Sequence, residues 1–182
     1  MKVMIETERL ILRELEYTDK NDLFEMDSDP EVHLYIENNP VKTIDEIQKA
    51  IKILKKQYDE NGIARWAVVN KLTNECIGWS GLKYFNQPLN NHNNFYELGY
   101  RFKKKHWGKG FATESSRAIL DFGFKNLNVE QIFAITDPRN ESSKKVLAKL
   151  GFDFIETFDY EGDPTDWFEL KKTTWENKKP NP

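Results

Sequence analysis

The stretch Arg101-Phe102-Lys103-Lys104-Lys105-His106-Trp107-Gly108-Lys109-Gly110-Phe111-Ala112-Thr113-Glu114 decides how this chain is read. It runs from the end of a strand, through a basic segment and two glycines two residues apart, into the start of a helix. Arg101, Lys103, Lys104, Lys105 and Lys109 place five cations in nine positions with no acid among them. Glycines at such a turn let backbone N–H groups approach a ligand closely, and the helix that follows adds its positive end. An anion such as a pyrophosphate suits that geometry. A solvated basic turn, with glycines serving only a positive φ, accounts for the same residues. Two familiar phosphate motifs do not apply. The Gly-x-x-x-x-Gly-Lys-Ser/Thr loop is not matched, and the third glycine position of the dinucleotide fingerprint holds Thr113.

The preceding strand, Phe95–Phe102, alternates Tyr96, Leu98, Tyr100 and Phe102 on one side with Phe95, Glu97, Gly99 and Arg101 on the other. Glu97 thus shares a face with Gly99, whose missing side chain leaves bare backbone that a ligand lying along the sheet can use; a solvent-facing Glu97 on a half-buried strand is the plainer alternative. Further on, Asn140 and Ser143 lie three apart in Asp137-Pro138-Arg139-Asn140-Glu141-Ser142-Ser143, either as a helix cap or as an amide and a hydroxyl on one face at a strand's end. Residues 150–170 hold seven acids, Asp153, Glu156, Asp159, Glu161, Asp163, Asp166 and Glu169, with no Lys or Arg. A solvated hairpin explains them, and so does a wall that attracts a cationic substrate.

Around these segments the periodicity predicts a strand at Arg9–Arg13, a short helix over Asp19–Met26, and a longer helix capped by Thr43 and stopped by Asn61-Gly62. Strands follow at Ala64–Asn70, Cys76–Tyr84 and Phe95–Phe102, then a helix over Gly110–Asn126 and a strand at Gln131–Thr136. Asp137-Pro138 opens another helix that Gly151 ends, and Phe152–Phe158 with Thr165–Thr174 read as a closing hairpin. Mixed meander and crossover order indicates an α+β or mixed α/β fold around a single sheet. With 182 residues and no linker or repeat, the chain reads as one domain, residues 1–182.

Composition narrows the function. Twenty-seven Lys and Arg against 30 Asp and Glu give a net charge of −3, which argues against non-specific nucleic-acid binding. Aromatics at 13% argue against disorder. The single cysteine, Cys76, sits in an apolar run and reads as a small buried hydrophobe in a reducing, cytoplasmic compartment. No segment reads as a leader or a membrane span. His33, His92 and His106 lack ligand spacing, so no metal is expected.

Taken in order, these motifs resemble the GNAT (GCN5-related N-acetyltransferase) superfamily. Its acetyl-CoA signature, Arg/Gln-x-x-Gly-x-Gly/Ala, aligns with Lys105-His106-Trp107-Gly108-Lys109-Gly110, with Lys in the first position. The continuation Phe111-Ala112-Thr113-Glu114, the pair Asn140 and Ser143, Val146–Phe152 and the opening Thr7-Glu8-Arg9-Leu10-Ile11-Leu12-Arg13 are similar to the branch of ribosomal-protein N-terminal (Rim-type) acetyltransferases. The resemblance implies a mostly antiparallel central sheet flanked by helices, the acyl-CoA N-acyltransferase fold. It also implies acetyl transfer from acetyl-CoA to a primary amine, a protein N-terminus or a small molecule, by direct attack on the thioester, with no metal. Backbone of Tyr100–Phe102 would bind the pantetheine arm, and backbone from Lys105 through Gly108, Lys109, Gly110, Phe111, Ala112 and Thr113 the pyrophosphate. Asn140 would reach pantetheine and Ser143 the sulfur. Leu147 stands where many members carry a tyrosine that acts as the acid; the resemblance to this branch implies Ser143 as its replacement, donor to the thiolate, and Glu97, direct or through water, is the candidate base. A homodimer is the assembly that family habit suggests. The competing readings are a CoA- or anion-binding module without chemistry, and a ribosome-binding protein using the Lys103–Lys109 patch.

Overall fold

A computed structural model describes residues 3–36 and 38–177. Met1, Lys2, Glu37 and residues 178–182, and with them both ends of the expected domain, lie outside the described residues. Eight strands form one sheet: β1 (Val3–Glu6), β2 (Leu10–Arg13), β3 (Arg65–Asn70), β4 (Cys76–Phe85), β5 (Phe95–Phe102), β6 (Gln131–Thr136), β7 (Asp153–Tyr160) and β8 (Asp163–Lys171). Their spatial order is β1-β2-β3-β4-β5-β6-β8-β7. Helices α1 (Lys20–Asp27), α2 (Ile44–Asn61), α3 (Phe111–Asn126), α4 (Glu141–Leu150) and α5 (Lys172–Asn177) flank it. Neighbouring strands are antiparallel except β5 and β6, which run parallel and share one paired position, Glu97 with Phe133.

Each helix covers the sheet with the stripe its sequence supplies. Ile119, Leu120 and Phe124 of α3 and Leu147 and Leu150 of α4 join Trp66, Leu82, Leu98, Ile132, Phe168 and Leu170 in one core. A Cβ on Gly123 would lie 2.7 Å from Leu82 Cδ1, so α3 rests closer to the sheet than any larger residue there would allow. Leu23 and Met26 of α1 and Ile47 and Ile51 of α2 cover the opposite face, against Ala67, Val69 and Cys76. Cys76 is buried there, and burial pushes its thiol up to about 12. Beyond them on the sheet, Phe95, Phe133 and Trp167 form an aromatic cluster.

Several boundaries differ from the sequence reading. α4 begins at Glu141 rather than at Asp137-Pro138, because Asp137 Oδ1 accepts the Arg139 N–H at 2.7 Å in a turn and Asn140 caps the helix. The last strand stops at Lys171, and α5 takes up Thr173 and Thr174 so that Trp175 can bury itself and donate to Asp121 Oδ1 at 2.9 Å. Strand β1, too short to carry a periodic signal, pairs along β2.

Four of the five cations in the basic run after β5 prove to be structural glue, held by carboxylates rather than left free for an anion or for solvent. Lys103 is buried, and its ammonium meets Asp22 and Glu25 of α1 at 2.7 Å each and Glu75 at 2.8 Å. Arg101 pairs with Asp27 at 2.8 Å, Lys104 with Glu31, and Lys105 with Glu25 and Glu75 at 2.8 Å each. Burial opposes ionisation of Glu75, but hydrogen bonds from Lys103 and Lys105 outweigh it and hold its carboxyl down at about 2. Such a depressed carboxyl adds stability that is complete above its unfolded value and is lost as pH falls through the folded one. Lys103→Met should therefore destabilise the protein most above about pH 5. Urea unfolding from pH 7 down to pH 3 should show the gap between wild type and variant narrowing as the carboxylates protonate; a gap that does not change with pH would remove this role.

Candidate active site

Past the single pairing of Glu97 with Phe133, β5 and β6 separate, and the edge of β5 that faces β6 is left without strand partners from Leu98 to Phe102. Because the two strands are parallel, the elements that follow them start at the same end of the opening. α3 begins at one lip and α4 at the other.

At the first lip, Lys104–His106 form a 3-10 turn, and the Trp107 indole N–H donates to Phe102 O at 2.8 Å, folding the turn back over the strand end. Gly108 and Gly110 then take φ of 72° and 81°, the left-handed region that costs other residues roughly 1–2 kcal/mol. A Cβ on Gly108 would meet nothing within 4 Å, so the turn is open on that side. α3 has Gly110 as its N-cap and no side-chain cap bond. Its first intrahelical bond runs from Glu114 N–H to Gly110 O at 3.0 Å, which leaves the N–H groups of Phe111, Ala112 and Thr113 directed out of the helix end. Lys109 alone among the five cations of the run has no carboxylate partner among the described residues.

The two distant sequence motifs meet at this lip. Arg9 Nε donates to Glu114 Oε2 at 2.6 Å, its main-chain N–H donates to Glu114 Oε1 at 3.0 Å, and Nη1 donates to Lys109 O at 3.0 Å. The Thr7 hydroxyl adds a bond to Glu114 Oε1 at 2.6 Å, and the Arg9 guanidinium lies 4.6 Å from the centre of the Phe111 ring. Burial works against the Glu114 carboxylate, but these donors prevail and lower its pKa. Thr7-Glu8-Arg9 and Thr113-Glu114 are thus two halves of one clamp that fixes the glycine turn.

At the second lip, Asn140 Oδ1 accepts the Ser143 N–H at 3.0 Å as the cap of α4. The Ser143 hydroxyl lies 3.0 Å from the Tyr100 hydroxyl, which joins the wall formed by β5 to the one formed by α4. Burial pushes the Tyr100 phenol up to about 12, against the opposing effect of its hydrogen bond with Ser143. Leu147 is buried in the core.

The floor departs from expectation. Glu97 is not solvent-facing; it is 5% exposed and ion-paired through Oε2 with the Arg65 guanidinium. Arg65 Nη1 also donates to Gly81 O at 2.7 Å and Glu97 O at 2.9 Å. The guanidinium fills the space beside Gly99, where a Cβ would sit 2.6 Å from Nη2, so the supposedly bare backbone on this face is covered. Trp79 lies between the two strands' cations, with the guanidinium carbons of Arg65 and Arg101 each 5.2 Å from its ring centre. Arg101 is held by Asp27, and His33 Nε2 lies 3.6 Å from the same carboxylate. Arg65, Trp79 and Asp27 carried no sequence signal of their own. The one available hint was a pair of facing glycines, Gly81 and Gly99, the first in close approach to the β3 backbone and the second making room for the Arg65 guanidinium.

Comparison with known proteins agrees with this architecture. The profile of the acetyltransferase (GNAT) domain family matches residues 9–153. The chain is 36% identical over 146 residues to the uncharacterised N-acetyltransferase p20 of Bacillus licheniformis, a match that covers 80% of each protein. Ribosomal-protein-S5-alanine acetyltransferase from Vibrio fischeri superposes with a TM-score of 0.75 at 22% identity, over 98% of this chain and 100% of the other. Spermidine N-acetyltransferase from Vibrio cholerae, in complex with CoA and spermine, superposes with a TM-score of 0.73 at 20% identity, over 94% and 100%. These two structures match the mixed α+β fold with its mostly antiparallel sheet.

The Arg65–Glu97 pair gives a direct test of the floor. Arg65→Met strands a buried carboxylate, so it should cost about 3–5 kcal/mol, and adding Glu97→Gln should restore part of the loss. Urea unfolding of the two single variants and the double checks this; additive losses would show the pair to be uncoupled.

Proposed function

This chain belongs to the GNAT acetyltransferase family, and from that premise we propose that it transfers the acetyl group of acetyl-CoA to a primary amine. The observation that carries the reading is the uncapped N-terminus of α3, which sits behind an open glycine turn at the lip of a splayed parallel strand pair. Those features fit the co-substrate. Outward N–H groups of Phe111, Ala112 and Thr113, with backbone from Lys105 through Gly110 and the Lys109 charge, suit a pyrophosphate. The edge of β5 across Tyr100 and Phe102 suits the pantetheine arm, bound as an added strand; the Phe102 carbonyl shares its lone pairs with the Trp107 indole. Asn140 and Ser143 close the far side, near the sulfur.

Acetyl-CoA supplies an activated acyl group as a thioester. The protein's part is to position, to take a proton and to stabilise charge. Glu97 accepts the proton of the attacking amine, directly or through one water, and Arg65 fixes the carboxylate's orientation on the sheet. A backbone N–H near Leu98 and Gly99 on the open edge of β5 stabilises negative charge on the carbonyl oxygen. Ser143 donates a hydrogen bond to the departing thiolate. An α-amine near 8 is neutral in roughly one molecule in ten at pH 7, against about one in a few thousand for an ε-amine near 10.4. That margin favours a protein N-terminus as acceptor, in keeping with the ribosomal-protein branch that the sequence resembles. The neighbours named for ribosomal protein S5 and for spermidine bracket the protein and small-amine choices. A lone buried cysteine is in keeping with a cytoplasmic setting. Among the described residues no helix is long and apolar enough to cross a membrane.

Thiol release from acetyl-CoA against a panel of peptides and small amines, with mass spectrometry of the products, tests the activity. Calorimetry tests the site. Gly108→Ala meets no protein atom and fills the open side of the turn, at a backbone cost of roughly 1–2 kcal/mol for its positive φ. It should weaken CoA at least tenfold, about 1.4 kcal/mol, with the fold retained. A folded variant with unchanged affinity would place the pyrophosphate elsewhere.

A further inference from the structure

The family resemblance brings Tyr100 to the site through its backbone alone, yet its phenol oxygen lies 3.0 Å from the Ser143 hydroxyl. We propose that Tyr100 is a positioning residue that turns the Ser143 hydroxyl into a directed hydrogen-bond donor for the departing CoA thiolate. This rests on the acetyltransferase reading of the site.

The Tyr100 proton is within reach of Ser143 O at 3.3 Å and of Ser143 Oγ at 3.0 Å, and in the second pair either hydroxyl can be the donor. When the Tyr100 proton lies on Oγ, the serine's own proton is free to swing into the opening between β5 and β6. Without the phenol, the same hydroxyl would turn back to the carbonyls of the first turn of α4, as serines in helices do. Ser143 N–H is already committed to Asn140, so the residue's backbone is fixed and only its hydroxyl rotor is left to be set. The chain of donors is Tyr100 Oη–H to Ser143 Oγ, then Ser143 Oγ–H to sulfur, each bond polarising the next.

The step balances without a proton from either residue. As the carbon–sulfur bond breaks, its electron pair stays on sulfur, and the amine's proton leaves to Glu97 or to water. A phenol that burial pushes above its ordinary value does not surrender its proton to an alkyl thiolate, whose conjugate acid is the stronger of the two. Tyr100 therefore stays a donor throughout the working range, and the serine, fed by it, stabilises the anion by hydrogen bonding. Leu147, buried where a tyrosine would otherwise project from α4, leaves that task to the opposite wall.

The bound CoA thiol reports this directly. Its pKa can be read from CoA affinity measured calorimetrically across pH 6–10, with desulfo-CoA as the control that removes every other titration. A donor to the thiolate should lower the bound thiol's pKa by about one unit relative to free CoA, a tenfold gain in affinity across the titration. Ser143→Ala should abolish that gain. Tyr100→Phe keeps the ring, so desulfo-CoA affinity should hold while at least half of the thiol shift is lost, and the double variant should match Ser143→Ala. If Tyr100→Phe retains the full wild-type shift while Ser143→Ala loses it, the proposal is overturned. A wild-type thiol that titrates as free CoA overturns it as well. Failure of desulfo-CoA to bind at all overturns instead the site assignment on which it rests.

Discussion

Two parallel strands that pair at one position and then part impose most of what this molecule can do. The separation of β5 from β6 beyond Glu97 and Phe133 leaves one strand edge unpaired inside the sheet, where an unpaired backbone group is costly unless something fills the gap. Parallel direction also puts the carboxyl ends of both strands, and hence the starts of α3 and α4, at the same mouth. Ligands of open α/β sheets sit outside strand carboxyl ends for this reason. Neither helix needs any special feature to aim its N–H groups at the opening; the topology does it. What the sequence adds is restraint: no side chain caps α3, and Gly108 leaves its approach clear.

Holding such an opening against collapse falls to charges that are otherwise expensive to bury. The Lys103 ammonium and its three carboxylates pin α1 and the β3–β4 turn to the end of β5. The Arg9–Glu114 clamp pins the glycine turn to the β1–β2 connection. Arg65 and Glu97 brace β3 against β5 across the floor. Well-packed apolar groups could match their stability. They would not fix a helix end and a strand edge in one relative orientation as directional bonds do. Ion pairs thus serve geometry here, and the proposed acetyl-CoA site depends on that geometry.

The sequence made the site's backbone legible and hid its side-chain partners. β5 and β6 carry the predicted bounds because alternation and β-branched runs are local signals. The glycine turn and the start of α3 were equally local. Lys103 read as a free cation, anion-binding or solvated, because its partner Asp22 lies 81 positions away, and no periodicity reports a contact at that range. Glu97 read as an acid beside bare backbone or facing solvent, and its ion pair stayed hidden for the same reason: Arg65 is 32 positions off, on a strand not adjacent to it. Tyr100 and Ser143 were each singled out, but their meeting depends on how α4 sits after β6, which local sequence does not encode. The helix start displaced from Pro138 to Glu141 illustrates a smaller failure, where a side-chain turn at Asp137 outcompeted the usual proline signal.

The central claim is that the open edge of β5 and the exposed first turn of α3 together form the acetyl-CoA site. Residue-resolved amide hydrogen exchange, with and without saturating CoA, tests it most directly. The account predicts slowed exchange at Leu98 through Phe102 on the edge facing β6 and at Phe111, Ala112 and Thr113, with α2, β7 and β8 unchanged. Protection confined to other segments, or no protection while CoA is bound, would contradict it.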